Sequence, residues 1–246
     1  VADHGRDIAW TPGADSPMHL VRADLLGGVF SVALHLQGLL CLHGSAVALG
    51  DGVAAGFLAN KGAGKSTLAT ALCARGASLI TDDMLPIDPG PPAMAWPSMP
   101  AVRLLQDSAH RLDYAKGPTH PQTGKYHVNE LPPDRVERRR VPVAALYELF
   151  PVPSATGVPA VQRTRLTGPL AVTTLVRHNR AGTAIGQSDS RHLFMRASDI
   201  VRTVPVYRLE VARDFERLDD VIDQLVDWHL SRGAGDAART ASALTE

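Results

Sequence analysis

Lys65 and Ser66 sit near the end of the stretch ANKGAGKST, residues 59 to 67, an order of residues suited to phosphate. A phosphate cradle needs backbone N–H groups converging on oxygen atoms and a helix N-terminus aimed at them. Gly62 and Gly64 permit the close approach and the positive φ angles of such a loop. Lys65 would reach the β and γ phosphates, and Ser66 would hold Mg2+ through its hydroxyl. Asn60, Lys61, Ala63 and Thr67 complete the candidate nucleotide-binding stretch, and TLATALCAR continues it as a helix whose dipole favours an anion. The usual pattern opens on Gly, and this chain has Ala59 there. Alanine is accommodated if φ at that position is negative.

Sixteen residues after Ser66 the chain reaches Asp82 and Asp83, in LITDDM. One helix and one strand fill that gap, so both acids are expected beside the loop. One carboxylate can serve Mg2+ while the other takes the proton from an attacking hydroxyl. Adjacent residues at a strand end point to different sides, so the two need not share a role. His43, in CLHGSAV, precedes the loop by one hairpin. A strand beside the loop's own strand would bring its imidazole near the γ-phosphate, although a histidine on an apolar strand also suits a core with a satisfied hydrogen bond.

LHGSAV, GAGKST and LITDD, in this order and spacing, resemble the HPr kinase/phosphorylase family and its shorter relatives. GAGKSTLA followed by LITDD is also similar to the nucleotide site of ATP-dependent phosphoenolpyruvate carboxykinases, which share that fold. The shorter relatives include kinases of lasso-peptide gene clusters, which phosphorylate a serine at the end of a precursor peptide. WPSMPAVRLLQDS, GKYHV, VPVAALYEL and VPVYRLEV extend the likeness over residues 22–230. The resemblance implies an α/β P-loop fold of the HPr kinase and PEP carboxykinase type, a mixed sheet flanked by helices. It implies ATP and Mg2+ as cofactors, Asp82 as proton acceptor, Asp83 as its neighbour near the metal, His43 and Lys65 as catalytic partners, and Lys125 facing phosphate. The acceptor it implies is a serine hydroxyl of a peptide or small protein. Full HPr kinases carry a second signature ahead of their C-terminal helix, and no clean copy stands here. That weighs against HPr as substrate and against the reverse phosphorylase reaction. Full-length relatives assemble as oligomers, which makes a homo-oligomer an expectation. Two other classes stay open: a small-molecule hydroxyl kinase, and a nucleotide-sensing module without catalysis. A carboxykinase would need a second metal site and an oxaloacetate-binding arginine set, and the chain is short for that.

The elements that must position these residues follow from periodicity. An apolar helix is expected over about 22–39, a strand over 40–49, a hairpin turn at GDG 50–52 and a second strand over 53–59. The loop helix covers about 65–75, and ASLIT 77–81 is a short buried strand. The Pro-rich segment 86–100 is expected to be largely irregular and to start the part covering the site, with Trp96 over the adenine or stapling the loop. RLLQDSAHRL suggests a helix, and the following stretch to Arg140 is loop-like, with a basic run whose bland reading is a solvated face. Residues 143–151 suit a strand or a short helix. Helices are expected over 168–178 and 190–204, a strand over 204–212, and a helix over 214–230 with Asp214 as N-cap. Arg191 and Arg196, on the second of these helices, are weaker candidates for a transferred phosphate. This divides the chain into a polar N-terminal segment 1–21, a kinase-like domain 22–230 and a frayed tail 231–246.

Bulk properties narrow the class. The chain has 246 residues, 45% hydrophobic and 20% charged, enough for a real core. Twenty-five basic and 25 acidic residues balance, which argues against a general nucleic-acid binder. Cys41 and Cys73 make neither metal-ligand spacing nor a disulfide framework, so a reducing cytoplasm is the expected setting. The chain begins at Val1 rather than Met, as a processed or longer chain would, and no signal peptide is expected. LLGGVFSVALHLQGLLCL, residues 25–42, is near spanning length, but His35, Gln37 and its glycines favour a buried core helix, so no membrane partner is expected.

Overall fold

The computed structural model describes residues 1–11, 25–50, 52–98, 101–116, 119, 123–128, 131–182 and 187–229. The tail 231–246 and the start of the helix expected from residue 22 lie outside the described residues. A π-type turn, Leu25–Val29, leads into α1 (Phe30–Leu36). β1 (Leu40–Leu42) breaks at His43 before β2 (Gly44–Leu49), and the hairpin leads to β3 (Val53–Leu58). The loop follows, then α2 (Lys65–Ala74) and β4 (Ser78–Thr81). The apolar run 25–42 is thus a short helix and a strand, and among the described residues no helix is long and apolar enough to cross a membrane.

The Pro-rich segment is more regular than its composition suggests. β5 (Leu85–Asp88) and β6 (Met94–Ala95) form within it, and β7 (Val102–Leu104) follows. β5 pairs with β1, placing Pro86 opposite Cys41, and β6 pairs with the start of β9 (Val141–Val152). Pro86 stands near the start of β5, ahead of the residues in register with β6, so only one ladder donor is lost. The expected helix in RLLQDSAHRL is shorter, α3 (Gln106–Arg111), because Arg103 and Leu104 belong to β7. β8 (Tyr126–Val128), in the stretch expected to be a loop, pairs with β7. β10 (Val161–Leu166), α4 (Gly168–Arg177), α5 (Gln187–Thr203) and β11 (Val206–Ala212) follow. α6 covers 218–229 after a 3-10 turn, Phe215–Arg217, whose N-cap Asp214 accepts from the Glu216 amide. β10 had no counterpart among the sequence expectations.

Nine strands of the described residues form one mixed sheet. β9 is its centre: β3 and β11 run parallel to it, β2 and β4 continue beyond β3 antiparallel, and β1, β5 and β6 branch from its first residues. β9 is buried on both faces, which explains its near-continuous apolar reading. Its even and odd positions exchange faces where the register shifts between Val143 and Ala145, so Val143 joins one core and Ala145, Tyr147 and Leu149 the other. Leu68, Ala69 and Leu72 of α2 and Val221, Ile222 and Leu225 of α6 cover the first face. Ala171 and Leu175 of α4 and Ala197 and Ile200 of α5 cover the second. The result is a three-layer α/β/α arrangement, a mixed sheet flanked by helices, as the resemblance implies.

Gly44 holds the hairpin against the loop strand. A Cβ there would lie 2.8 Å from the Phe57 carbonyl oxygen and 2.8 Å from Leu58 Cδ2. The leucine tip can turn aside, whereas the backbone oxygen belongs to the ladder. Gly44→Ala is therefore expected to destabilise the fold by about 1–3 kcal/mol, as overpacking does. Denaturant unfolding checks this, and an unchanged midpoint would show that the strands separate without cost.

Candidate active site

The loop leaves β3 at Ala59, which is buried and does not take a positive φ, so a side chain costs nothing there. Gly62 (φ 84°) and Gly64 (φ 100°) do adopt the left-handed region, and Gly64 caps α2. Lys65 is only 7% exposed and folds back over the loop, its Nζ donating to the Ala59 carbonyl at 2.8 Å and to that of Asn60 at 3.4 Å. The same Nζ lies 3.3 Å from His43 Nε2. Thr67 turns instead to Ser108 of α3, hydroxyl to hydroxyl at 2.7 Å.

The two acids occupy different surroundings, as alternation at a strand end demands. Asp82 Oδ1 accepts from Ser66 Oγ at 2.9 Å and from the buried Ser45 Oγ at 2.5 Å, while Oδ2 accepts from the Arg103 amide at 3.1 Å. Asp83 has φ of 72°, a left-handed conformation that aspartate tolerates better than most residues and that gathers at functional sites. Its Oδ2 pairs with Arg103 at 2.6 Å and with Arg180 at 3.1 Å, and its Oδ1 lies 3.5 Å from His43 Nδ1. The Asp83 carbonyl lies 3.1 Å from the same His43 nitrogen.

His43 sits at the break between β1 and β2, and its amide donates to the His178 carbonyl at the C-terminus of α4, 2.6 Å away. Below it, buried Glu148 of β9 holds His178 Nε2 at 2.9 Å and pairs with Arg177. Arg180 is anchored by its own amide on the Cys41 carbonyl at 2.7 Å, while its buried Nε has no partner among the described residues. The break in the first strand and the end of α4 thus set His43 and Arg180 on either side of Asp83.

Electrostatics mark the same place. Lys61, Lys65, Lys125, Arg103 and Arg180 share one cleft of about 570 Å³ with His43, Asp82 and Asp83, so cations outnumber carboxylates. Burial pushes the Lys65 ammonium below the ordinary lysine value, the two aspartates oppose this, and Lys125 and Arg180 add to it. Burial also lowers Lys125, and Arg103 lowers it further. Burial and Lys65 hold His43 down, leaving a neutral imidazole at neutral pH, although Asp83 acts against them. For Asp83, burial favours the protonated acid, but Arg103, Arg180 and His43 together outweigh it and leave the carboxyl below its usual range. A depressed carboxyl contributes stability that is complete above its unfolded pKa of about 3.9 and fades as pH falls through the folded value. Asp83→Asn is therefore expected to lower stability at neutral pH, and to converge on the wild type as pH falls below about 4, which flattens the acid limb of the profile. Chemical unfolding at a series of pH values checks this, and an acid limb as steep as in the wild type would refute the pairing.

Most residues singled out in the sequence meet here: Lys61 to Thr67, His43, Asp82, Asp83 and Lys125 all line the cleft. Asn60 meets Lys65 through its carbonyl. Trp96 does not line it; Arg140 stacks over its ring at 3.8 Å. Arg196 ties α5 to the end of α1, donating to the His35 carbonyl at 2.6 Å, and Arg191 is exposed outside the cleft. Arg103, Arg180 and Ser45 escaped sequence reasoning. Ser45 alone had a signal, since it stands two residues after His43 on the strand expected over 40–49, and such residues share a face.

No family model matches this chain, and no curated protein matches it. Among solved structures it is similar to the HPr(Ser) kinase/phosphatase from Coxiella burnetii, at 12% identity and a TM-score of 0.43, over 81% of this chain and 96% of that one.

Proposed function

We propose that this chain is an ATP-dependent kinase that transfers the γ-phosphoryl group to a hydroxyl. The acceptor in this reading is a serine of a peptide or small protein, with the terminal serine of a lasso-peptide precursor as the specific candidate the resemblance supplies. One observation carries the reading: the loop lysine, the loop serine, two carboxylates and a neutral histidine converge in a single cationic cleft. A site that only held nucleotide would have no use for a second carboxylate backed by an imidazole.

The chemistry balances simply. The acceptor oxygen bonds to the γ-phosphorus, the bond to the β–γ bridging oxygen breaks, and the hydroxyl proton passes to a carboxylate. Lys65 leaves the Ala59 carbonyl for the phosphate oxygens, and the amides of Gly62 to Ser66 cradle them. Ser66 and Asp82 offer adjacent hard oxygens of the kind Mg2+ takes, and the ion when bound would neutralise phosphate charge. Asp82 therefore suits the metal, and Asp83, beside His43, suits the acceptor proton, the reverse of the division the resemblance implies. Asp83 is a weak base while both arginines hold it. Phosphate oxygens would draw Arg103 and Arg180 away, and burial alone then raises its basicity.

The test is intact-mass spectrometry after incubation with Mg·ATP and a panel of a Ser-terminated peptide, HPr and free serine. A gain of about 80 Da on the peptide alone, the mass of one phosphoryl group, is expected. Transfer only to free serine would move the protein to the small-molecule kinases, and nucleotide binding without transfer or hydrolysis would make it a sensor. Ser45→Ala probes the metal side. Losing the hydroxyl that orients Asp82 is expected to raise the Mg2+ concentration for half-maximal turnover roughly tenfold, as loss of outer-shell partners does. A Mg2+ titration matching wild type would remove Ser45 from the site.

A further inference from the structure

The cleft continues past the phosphate loop into an apolar end lined by Leu105, Leu149, Pro151, Val211, Phe215 and Leu218. We propose that this end seats the aromatic base of the nucleotide, with Phe215 as the ring it stacks on. The proposal rests on the nucleotide reading of the loop and adds a site to it.

Strand direction places the two ends in order. β3, β9 and β11 are parallel neighbours, so the segments that follow them open on the same edge of the sheet. Ligands of open α/β sheets sit at that carboxyl edge. The loop after β3 takes the phosphates, and the next positions along the edge are Pro151 at the end of β9 and residues 211–214 at the end of β11. Charge orients the ligand the same way. Lys61, Lys65, Lys125, Arg103 and Arg180 lie with the loop, whereas at the apolar end the carboxylates of Asp107 and Asp214 outnumber Arg213 and disfavour phosphate there.

The apolar surface is exposed where a core residue would not be. Phe215 is 37% exposed and Leu105 is 46% exposed, yet both line a cleft. Each is also fixed in place. Leu105 immediately precedes α3, which the Thr67–Ser108 hydrogen bond ties to the loop helix. Phe215 opens the 3-10 turn capped by Asp214, and Arg217 of that turn donates to the Val158 carbonyl at 2.8 Å. A preset aromatic ring beside a phosphate site gives stacking without an ordering cost. The whole cleft, about 570 Å³, has the size of a site for one small ligand.

Calorimetric binding of ATP and of inorganic tripolyphosphate to the full chain tests this, with Mg2+ present throughout. Phe215→Ala is expected to weaken ATP roughly tenfold and to leave tripolyphosphate unchanged, while Phe215→Trp keeps ATP affinity. Leu105→Ala should weaken ATP in the same selective way. If both alanine variants bind ATP like wild type while tripolyphosphate still binds, the base lies elsewhere and the loop reading survives. If neither ligand binds the wild type, the nucleotide reading fails and this proposal falls with it. A change confined to the acceptor's KM would assign the apolar end to the acceptor and overturn the proposal.

Discussion

Lys65→Met is expected to lower phosphoryl transfer and ATP turnover by about 10²–10³-fold while leaving the fold intact, the scale of losing one preorganised donor to developing charge. The wild-type ammonium is nearly buried and, among the described residues, is met by the Ala59 carbonyl, more weakly by that of Asn60, and by His43. Methionine keeps the stem that packs along the loop and removes a cation whose burial is costly, so stability should hold or rise slightly. The removed group is the one that must move onto the phosphates. Arg103 and Arg180 start on Asp83 rather than over the loop, so neither stands where the ammonium does. Turnover and thermal melting of the same preparation check both halves. A variant that turns over like wild type would remove Lys65 from the chemistry and undo the kinase reading.

Asp82→Asn and Asp83→Asn are expected to fail in different ways. Asn at position 83 keeps the shape and tolerates the positive φ there, but it cannot take a proton, so kcat should fall about 10²–10⁴-fold with the Mg2+ requirement little changed. Asn at position 82 keeps one oxygen for Ser45 and Ser66 but loses the charge a metal needs. Its main effect should be a Mg2+ requirement raised by about 10–100-fold, partly restored at high metal concentration. Steady-state rates across Mg2+ concentrations separate the two. If Asp82→Asn lost kcat irreparably and Asp83→Asn shifted only the metal dependence, the division of roles would be the one the resemblance implies.

The loop was legible because its chemistry is local. Glycines at 62 and 64, the lysine and serine that follow and a helix-forming run specify the cradle within one short stretch, and that stretch folds as read. Asp214 was legible as an N-cap for the same reason, since a cap bonds to an amide two residues away. Asp82 and Asp83 were placed beside the loop by counting one helix and one strand. Even the departure at Ala59 was answerable in principle, because only the sign of φ mattered. Single elements also followed from local periods, with β2, β3, α2, α4 and β11 lying close to where apolar spacing set them, whereas the mixed sheet flanked by helices came from the resemblance.

What the sequence could not contain were the relations between distant segments. The Pro-rich segment reads as irregular, yet β5 and β6 form because β1 and β9 offer them partners from far along the chain. The helical pattern from Arg103 is cut short because β8 claims its first residues as a strand. Arg103 and Arg180 carry no motif; they reach Asp83 because β7 crosses beside it and α4 ends against the first strand. Local sequence thus determined the cradle, the pair of acids and the kinds of elements that carry them. Only the tertiary structure decided which carboxylate faces the loop serine and which is held by two guanidiniums. Strand alternation says that adjacent acids part company, and only packing supplies the neighbours each one meets.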